Sequence, residues 1–364
     1  MKNKFLIFSF CAILSINTYA QNVNTEQLID LSSVDCFFEM KHKISLGKIV
    51  NEKDWDSLFE TSGYKISATS SMRRSIIEEM MITAYDKKYN TRKDSILNIS
   101  VEENIKNPYA LLSQMTLLNY IDYSENEKEL KFFRHNYDFL SIPKFAAERL
   151  KNFLINPVDS LIDIPKINFL CYEPDAQSKE KGIVCDFNLF YKETEEERIN
   201  FIAHESFHKY RRKFIDKEII NSDCVLKEID KLQDEGIADL IDKKENIAES
   251  ISNKGIPEPF IKQYLDAHKN TPEILKEFDN IIVSYLKNEI NKEELESKVN
   301  NFFLSGGHPN GYYMSRLIEK AGFKDEMLKS FYSPTEFIKI YNKAAQKENE
   351  YVFSKEFITY LESL

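Results

Sequence analysis

The stretch Ile202-Ala203-His204-Glu205-Ser206-Phe207-His208 defines the central helix of this chain and places two imidazoles four residues apart on it. Helical residues at this spacing lie one turn apart on the same face, so both rings can ligate one metal ion. Glu205 directly follows the first imidazole, where a carboxylate can reach a metal-bound water and accept its proton. The stretch therefore predicts a helix that carries a metal centre, normally zinc, with His204 and His208 as ligands.

The residues before this stretch provide the start of its helix and the strands expected beside it. Thr194 and Glu197 form a capping box, in which the two side chains satisfy free amides at the beginning of the helix. Two β-like runs precede it, at 167–172 and 182–191, and both are rich in β-branched and aromatic residues. This order predicts a small sheet beside the metal-binding helix, with one strand edge open to an extended substrate segment.

A third ligand candidate is Glu235, within Asp234-Glu235-Gly236-Ile237-Ala238-Asp239. The segment between His208 and Glu235 is long enough for a loop and a returning helix. Asp239 lies one turn after Glu235, where its carboxylate can accept the free ring N–H of a ligating histidine. The alternative is that Glu235 and Asp239 are two solvated acids on an acidic helix. The two histidines upstream favour the metal site over this alternative.

The motif of His204, Glu205 and His208 followed by Glu235 resembles that of the gluzincin metallopeptidases, in which two histidines and a downstream glutamate hold zinc. More narrowly, the chain is similar to exported bacterial families described only as zinc-dependent peptidases of unknown function. The resemblance covers residues 165 to 320 and implies a zincin-like catalytic core with Glu205 as catalyst. The separation of His208 and Glu235 is longer than in the best-known gluzincins, so subfamily and substrate do not follow.

A second unusual stretch is Ser305-Gly306-Gly307-His308-Pro309-Asn310-Gly311-Tyr312-Tyr313, which holds three of the nine glycines in the chain. Glycines let the backbone approach a ligand closely, and a helix is predicted to begin after Gly311. A zinc hydrolase needs a donor for the oxyanion of its tetrahedral intermediate, and His308, Tyr312 or Tyr313 can serve. We favour His308 and Tyr313 as catalytic residues. The alternative is a helix-start turn with two packed tyrosines.

Other polar residues near the motif allow both a functional and an ordinary interpretation. Arg211 and Arg212 stand one turn after His208 and can recognise a substrate carboxylate, although surface charge is the favoured explanation. Asp186 and Asn188 alternate on the second predicted strand, where they would meet a substrate backbone.

The beginning of the chain predicts an export signal. Lys2 and Lys4 precede an apolar run from Phe5 to Ile16, and a small-residue cleavage site ends at Ala20, before Gln21. The run is too short to span a membrane as a helix, which needs about 20 apolar residues. The mature protein is therefore expected in the periplasm or secreted, without an integral membrane segment.

Charge and patterning set the remaining expectations. The chain carries a net charge of −10 and has no basic footprint for nucleic acid. After the signal peptide at 1–20, residues 21–150 predict a helical N-terminal region, and 151–364 predict a zincin-like domain with a helical C-terminal part. The expected fold class is a predominantly α-helical α+β fold with a small sheet beside the metal-binding helix.

Four cysteines follow the signal peptide, at positions 36, 171, 185 and 224. Export permits disulfides, and Cys171 with Cys185 can bridge two neighbouring strands. The alternative is that all four pack as small apolar side chains.

Together these features predict an exported zinc metallopeptidase that acts on a peptide or protein substrate. Zinc is expected to be held by His204, His208 and Glu235, with water in the fourth position and Asp239 behind the ligands. Glu205 would take the proton of that water and pass it to the leaving amine. The alternative is a non-catalytic exported zinc-binding or helical interaction protein on a peptidase-like scaffold. The intact Glu205 argues against that alternative.

Overall fold

The computed structural model describes residues 25–154, 164–251 and 256–364. The predicted export signal with its cleavage site lies outside the described residues. The described residues form a predominantly helical fold with one small sheet, which confirms the predicted α+β class. None of the helices in these three ranges is long and apolar enough to cross a membrane.

Helices make up most of the described chain. Those before the main strands are α1 (Ser32–Ser45), α2 (Glu52–Phe59), α3 (Ser62–Ser67), α4 (Ser71–Tyr85), α5 (Asn90–Leu97), α6 (Val101–Asn104), α7 (Pro108–Glu125), α8 (Glu127–Asn136) and α9 (Ile142–Lys151). Those after them are α10 (Phe187–Lys192), α11 (Glu195–Arg211), α12 (Lys217–Asn221), α13 (Cys224–Asp242), α14 (Ile247–Ile251), α15 (Glu258–Lys269), α16 (Thr271–Leu286), α17 (Lys292–Val299), α18 (His308–Lys320), α19 (Lys324–Lys329), α20 (Pro334–Glu348) and α21 (Lys355–Glu362). Short 3-10 helices occur at Thr25–Leu28, Lys87–Tyr89, Phe139–Ser141 and Leu304–Gly307.

The sheet has four strands, and its order differs from the order along the chain. The strands are β1 (Ile29–Asp30), β2 (Ile167–Leu170), β3 (Ala176–Lys179) and β4 (Gly182–Asp186). They lie in the spatial order β1-β2-β4-β3, with β1, β2 and β4 parallel and β3 antiparallel to β4. Because β3 has a single neighbour, it forms one edge of the sheet.

The second predicted strand is shorter than expected, and it is not an edge. β4 ends at Asp186, and α10 begins directly after it. The Asp186 carboxylate caps α10 by accepting from the Leu189 amide at 2.9 Å. It also accepts from the side chains of Asn119 and Tyr123. The suggestion that Asp186 and Asn188 meet a substrate backbone is therefore wrong, because both are buried structural groups.

The helix α11 begins as the sequence predicts. The Thr194 hydroxyl accepts from the Glu197 amide at 3.3 Å, and the Glu197 carboxylate accepts from the Thr194 amide at 3.0 Å. One face of α11 is anchored by the fully buried side chains of Ile202, Ala203 and Phe207. The helix packs on α9 and α13 and contacts β3, so the edge strand lies beside the helix that carries the two histidines.

Two glycines let α13 and α18 approach each other closely. A Cβ on Gly236 would lie 2.3 Å from the Gly311 carbonyl oxygen, and a Cβ on Gly311 would lie 2.3 Å from the Leu232 carbonyl oxygen. Side chains at these positions would force the two backbones apart. Gly311 therefore serves helix packing rather than approach to a ligand. α18 begins at His308, one turn earlier than predicted, and the close packing brings His308 beside Glu235.

The cysteines at 36, 171, 185 and 224 are unbridged. Cys171 and Cys185 are fully buried in the apolar core, and burial raises the pKa of both thiols well above its ordinary value. These two residues pack as small apolar side chains, which is the second interpretation that the sequence allows.

Candidate metal centre

His204 and His208 on α11 meet Glu235 on α13. The Nε2 atoms of the two histidines lie 3.1 Å apart. Glu235 Oε2 lies 3.3 Å from His208 Nε2 and 3.8 Å from His204 Nε2. Ligand atoms about 2.0–2.1 Å from a tetrahedral zinc ion lie about 3.3 Å from one another, so these three atoms surround a position of the right size.

The protein leaves this donor set open to a cation. His204 and His208 are only 4% and 6% exposed, and Glu235 Oε2 is buried without a well-directed hydrogen bond from any described residue. Burial would raise the pKa of Glu235, but the nearby charges of His308 and His208 hold it well below its ordinary value. An ionised carboxylate with a buried oxygen beside two imidazole nitrogens is a donor set that zinc takes.

Each imidazole places its other nitrogen against a carboxylate. His204 Nδ1 lies 2.9 Å from Asp242 Oδ1, and His208 Nδ1 lies 3.0 Å from Asp234 Oδ1. A carboxylate at this position fixes the ring orientation and the tautomer that leaves Nε2 for a metal. Neither acid was predicted from the sequence to take this role. The spacing of Asp242, two turns after Glu235 on the same helix face, is the signal in the sequence that could have pointed to it.

Asp239, which the sequence suggests for that role, contacts a different histidine. Its carboxylate is fully buried, and Oδ1 lies 3.7 Å from His204 Nδ1. Both of its oxygens lie 3.1 Å from His308 Nδ1, and Lys243 Nζ is 3.6 Å from Oδ1. Asp239 therefore orients His308, while Asp242 is the acid that contacts His204.

Replacing the acid behind His204 provides a test of this assignment. Asp242→Asn is expected to weaken zinc binding about 10- to 100-fold, because an amide holds the ring N–H less strongly than a carboxylate. Asp239→Asn, the same change on the same helix, is the matched control and is expected to weaken zinc binding less. Competition with a zinc chelator measures both affinities. Equal affinity of the wild type and Asp242→Asn would contradict the role of Asp242.

Glu205 lies between the two histidines in sequence and faces a cavity. Its side chain is 6% exposed and lines the same cavity as His204. Burial raises the pKa of Glu205, although the charges of His204 and His208 oppose this shift. A carboxylate with a raised pKa is a better proton acceptor near neutral pH than an ordinary surface glutamate.

The cavity beside these residues has a volume of about 570 Å³. Its wall is largely apolar and comes from several helices: Leu111, Leu189, Phe201, Phe260, Ile261 and Leu304. Tyr264 on α15 also lines it, and the buried Tyr264 hydroxyl has no hydrogen-bond partner among the described residues. Nothing in the sequence singles out Tyr264, because its helix has an ordinary amphipathic pattern. The volume suits a large apolar side chain.

His308 reaches the histidine and carboxylate cluster. His308 Nε2 lies 3.1 Å from Glu235 Oε2, and the side chain lines the cavity. Burial lowers the pKa of His308, but the carboxylates of Glu235 and Asp239 more than reverse this effect and raise it to about 9. Its two ring nitrogens therefore face the carboxylates of Asp239 and Glu235, at the wall of the cavity.

The two tyrosines after His308 have other contacts. The Tyr312 hydroxyl donates to the Lys244 carbonyl at 2.6 Å. The Tyr313 ring packs against the His268 ring at a centroid distance of 5.7 Å. Neither tyrosine is among the residues that line the cavity, so the structure brings His308 to the cluster without Tyr313.

The two arginines after His208 support the fold. Arg211 is 2% exposed and donates to the Phe331 carbonyl and to the Gln233 side chain. Arg212 donates to the Ser178 carbonyl on β3 at 2.9 Å. Arg211 therefore ties α11 to its neighbours, and Arg212 joins α11 to the edge strand.

Comparison with known proteins identifies one family. The family model described as "Putative zinc dependent peptidase (DUF5700)" matches residues 55–350, well over half of the chain. The matched span contains His204, Glu205, His208, Glu235 and His308. No curated protein and no solved structure matches the chain.

Proposed function

The chain belongs to the family described as "Putative zinc dependent peptidase (DUF5700)", and from this premise we propose that it is an exported hydrolase of peptide bonds. The observation that carries the proposal is the cluster of His204 Nε2, His208 Nε2 and Glu235 Oε2, whose separations of 3.1 to 3.8 Å suit one zinc ion. Export is supported by the predicted signal that ends at Ala20. We also propose that the helices and the sheet around this cluster form a zincin-like core.

Zinc bound at this cluster would act as a Lewis acid and lower the pKa of a coordinated water. The chain supplies the proton acceptor, because Glu205 is buried beside the two histidines and faces the cavity. Glu205 takes a proton from the attacking water and returns it to the leaving amine. Asp242 holds the His204 imidazole in its orientation from behind, and Asp234 lies 3.0 Å from His208 Nδ1.

Two side chains in the cavity wall can donate to the oxyanion that develops on the substrate carbonyl. His308 is favoured because its side chain lines the cavity and its Nε2 lies at the metal centre, 3.1 Å from Glu235 Oε2. Tyr264 is the second candidate, because its buried hydroxyl lacks a partner in the described parts of the chain. We favour Tyr264 over the predicted Tyr313, which packs on His268 outside the lining of the cavity.

The substrate is proposed to bind as an extended chain along β3. β3 is the edge strand and contacts α11, so a peptide can lie along it next to the metal centre, where it would compete with Arg212 for the Ser178 carbonyl. The largely apolar cavity beside Glu205 would then receive a bulky apolar side chain near the cleaved bond.

A peptide-library digest tests the proposed activity. The zinc-loaded mature chain from Gln21 onward is expected to cleave peptides, with a preference for a bulky apolar residue beside the cleaved bond. A zinc chelator should abolish this cleavage, and added zinc should restore it. Cleavage products are identified by mass spectrometry. A protein that binds about one zinc per chain but cleaves no peptide would contradict the proposal and support the non-catalytic alternative.

A further inference from the structure

A second cavity, with a volume of about 740 Å³, lies farther along α11 and β3 from the metal centre. Most of the charged residues that line it are basic. They include Lys179, Lys209, Arg212, Lys213, Lys217 and Lys227. The chain as a whole carries a net charge of −10. A concentration of positive charge in one cavity of an acidic protein attracts anionic groups and repels cationic ones.

Several of these cations lack a carboxylate partner. Lys209 Nζ donates to the Glu180 carbonyl at 2.6 Å, and the Arg212 guanidinium donates to the Ser178 carbonyl at 2.9 Å. A backbone carbonyl positions a cation without neutralising it. Lys217 and Lys227 are exposed, and neither forms an ion pair with a residue in the described ranges. The positive charges of Lys217 and Lys227 are therefore available to a ligand.

Three acids line the cavity, Glu180, Asp230 and Asp234, and the last two face other groups. Asp230 lies 2.5 Å from Arg211 Nη2, and Asp234 lies 3.0 Å from His208 Nδ1. Both acids line the cavity but face partners that the fold itself provides. They therefore do not neutralise Lys217 and Lys227 directly.

The two cavities are connected by the edge strand. Ala176, at the beginning of β3, lines the cavity of the metal centre, whereas Ser178 and Lys179, at its end, line the basic cavity. Four strand residues span about 13 Å at about 3.3 Å per residue. A peptide paired with β3 would therefore run from the metal centre into the basic cavity within about four residues.

We propose that the basic cavity binds an acidic segment of the peptide substrate, about three to five residues from the bond that is cleaved. This inference rests on the proposed function and adds a substrate class to it. A peptide is a better fit than another polyanion because the cavity continues the edge strand β3, along which an extended backbone can lie. The substrate would then have a bulky apolar residue near the cleaved bond and acidic residues farther along one side.

Binding is measured first, so that the test does not depend on turnover. Zinc-loaded Glu205→Gln protein is titrated with two fluorescent peptides that share an apolar anchor. One carries three Asp or Glu residues, and the other carries Asn or Gln at the same positions. The acidic peptide is expected to bind about tenfold more tightly at about 50 mM salt, and the preference should largely disappear at about 500 mM salt.

Charge reversal assigns the preference to the cavity. In the same background, Lys217→Glu with Lys227→Glu is expected to reduce the ratio of acidic to neutral affinity about tenfold. Lys276→Glu with Lys287→Glu makes the same change in net charge at exposed positions that do not line the cavity, and should keep the ratio. Circular dichroism checks that both double variants are folded.

The outcomes separate this inference from the proposed function. Equal affinity for the two peptides, or a preference that survives charge reversal of Lys217 and Lys227, would overturn the acidic-segment proposal. Binding of inorganic polyphosphate without binding of the acidic peptide would also overturn it. If the wild type cleaves neither peptide but prefers the acidic one through these lysines, the peptidase proposal fails and the binding proposal stands. If the wild type cleaves both peptides with equal KM, the peptidase proposal stands and the acidic-segment proposal fails.

Discussion

Glu205→Gln is expected to lower kcat by about 10²- to 10⁴-fold while about one zinc per chain is retained. The amide has nearly the shape of the carboxylate but cannot accept a proton from water. Glu205 lies outside the three-atom cluster of His204, His208 and Glu235, so its replacement should leave zinc binding intact. The measurement combines kcat on a cleaved library peptide with zinc content by atomic absorption.

A matched control shows whether the effect belongs to Glu205 or to any acid in the cavity. Glu193 lines the same cavity and is 7% exposed, close to the 6% of Glu205. Glu193→Gln is expected to change kcat much less, because Glu193 is not on α11 beside the histidines. Full activity in Glu205→Gln, with zinc bound, would mean that another group accepts the proton.

His204→Ala and Glu235→Ala are each expected to reduce bound zinc from about one per chain to a small fraction, and to abolish hydrolysis with it. Each change removes one of three donor atoms, and two remaining protein ligands hold zinc weakly in competition with water. His204→Ala also leaves Asp242 without the ring nitrogen that it contacts at 2.9 Å. Some loss of stability is therefore expected in addition to the loss of metal.

Thermal unfolding separates loss of metal from loss of fold. Zinc should raise the Tm of the wild type, because a ligand that binds only the folded state stabilises it, and should leave that of His204→Ala unchanged. His135→Ala is the control, since His135 is exposed on α8 and distant in sequence from the cluster. A folded His204→Ala protein that keeps stoichiometric zinc would rule out His204 as a ligand.

The local features of the site follow from the sequence because they depend on helix geometry alone. Residues four apart on a helix share a face whatever the rest of the fold does, so the spacing of His204 and His208 is enough to pair them. The capping box of Thr194 and Glu197 is equally local, and the structure contains both of its hydrogen bonds. The predominantly helical α+β class follows from the same periodicities.

The sequence could not identify which acid stands behind His204. Asp239 and Asp242 are less than one turn apart on α13, so periodicity alone does not decide between them. The choice depends on how α13 is rotated against α11, and local sequence does not show that rotation. The result is that Asp242 contacts His204 at 2.9 Å.

The sheet edge and the two cavities were likewise decided by tertiary structure. The residue pattern of a strand does not show which strands lie beside it. β4 is an interior strand because it pairs in parallel with β2 on one side and antiparallel with β3 on the other. Tyr264, Lys217 and Lys227 look like ordinary surface residues in sequence, and only the packing of distant helices places them in cavities. The sequence by itself determined the helix, its histidines and the fold class, because these depend on short-range periodicity. Helix rotation, strand order and shared cavities depend on contacts between distant segments, and only the folded chain determines those.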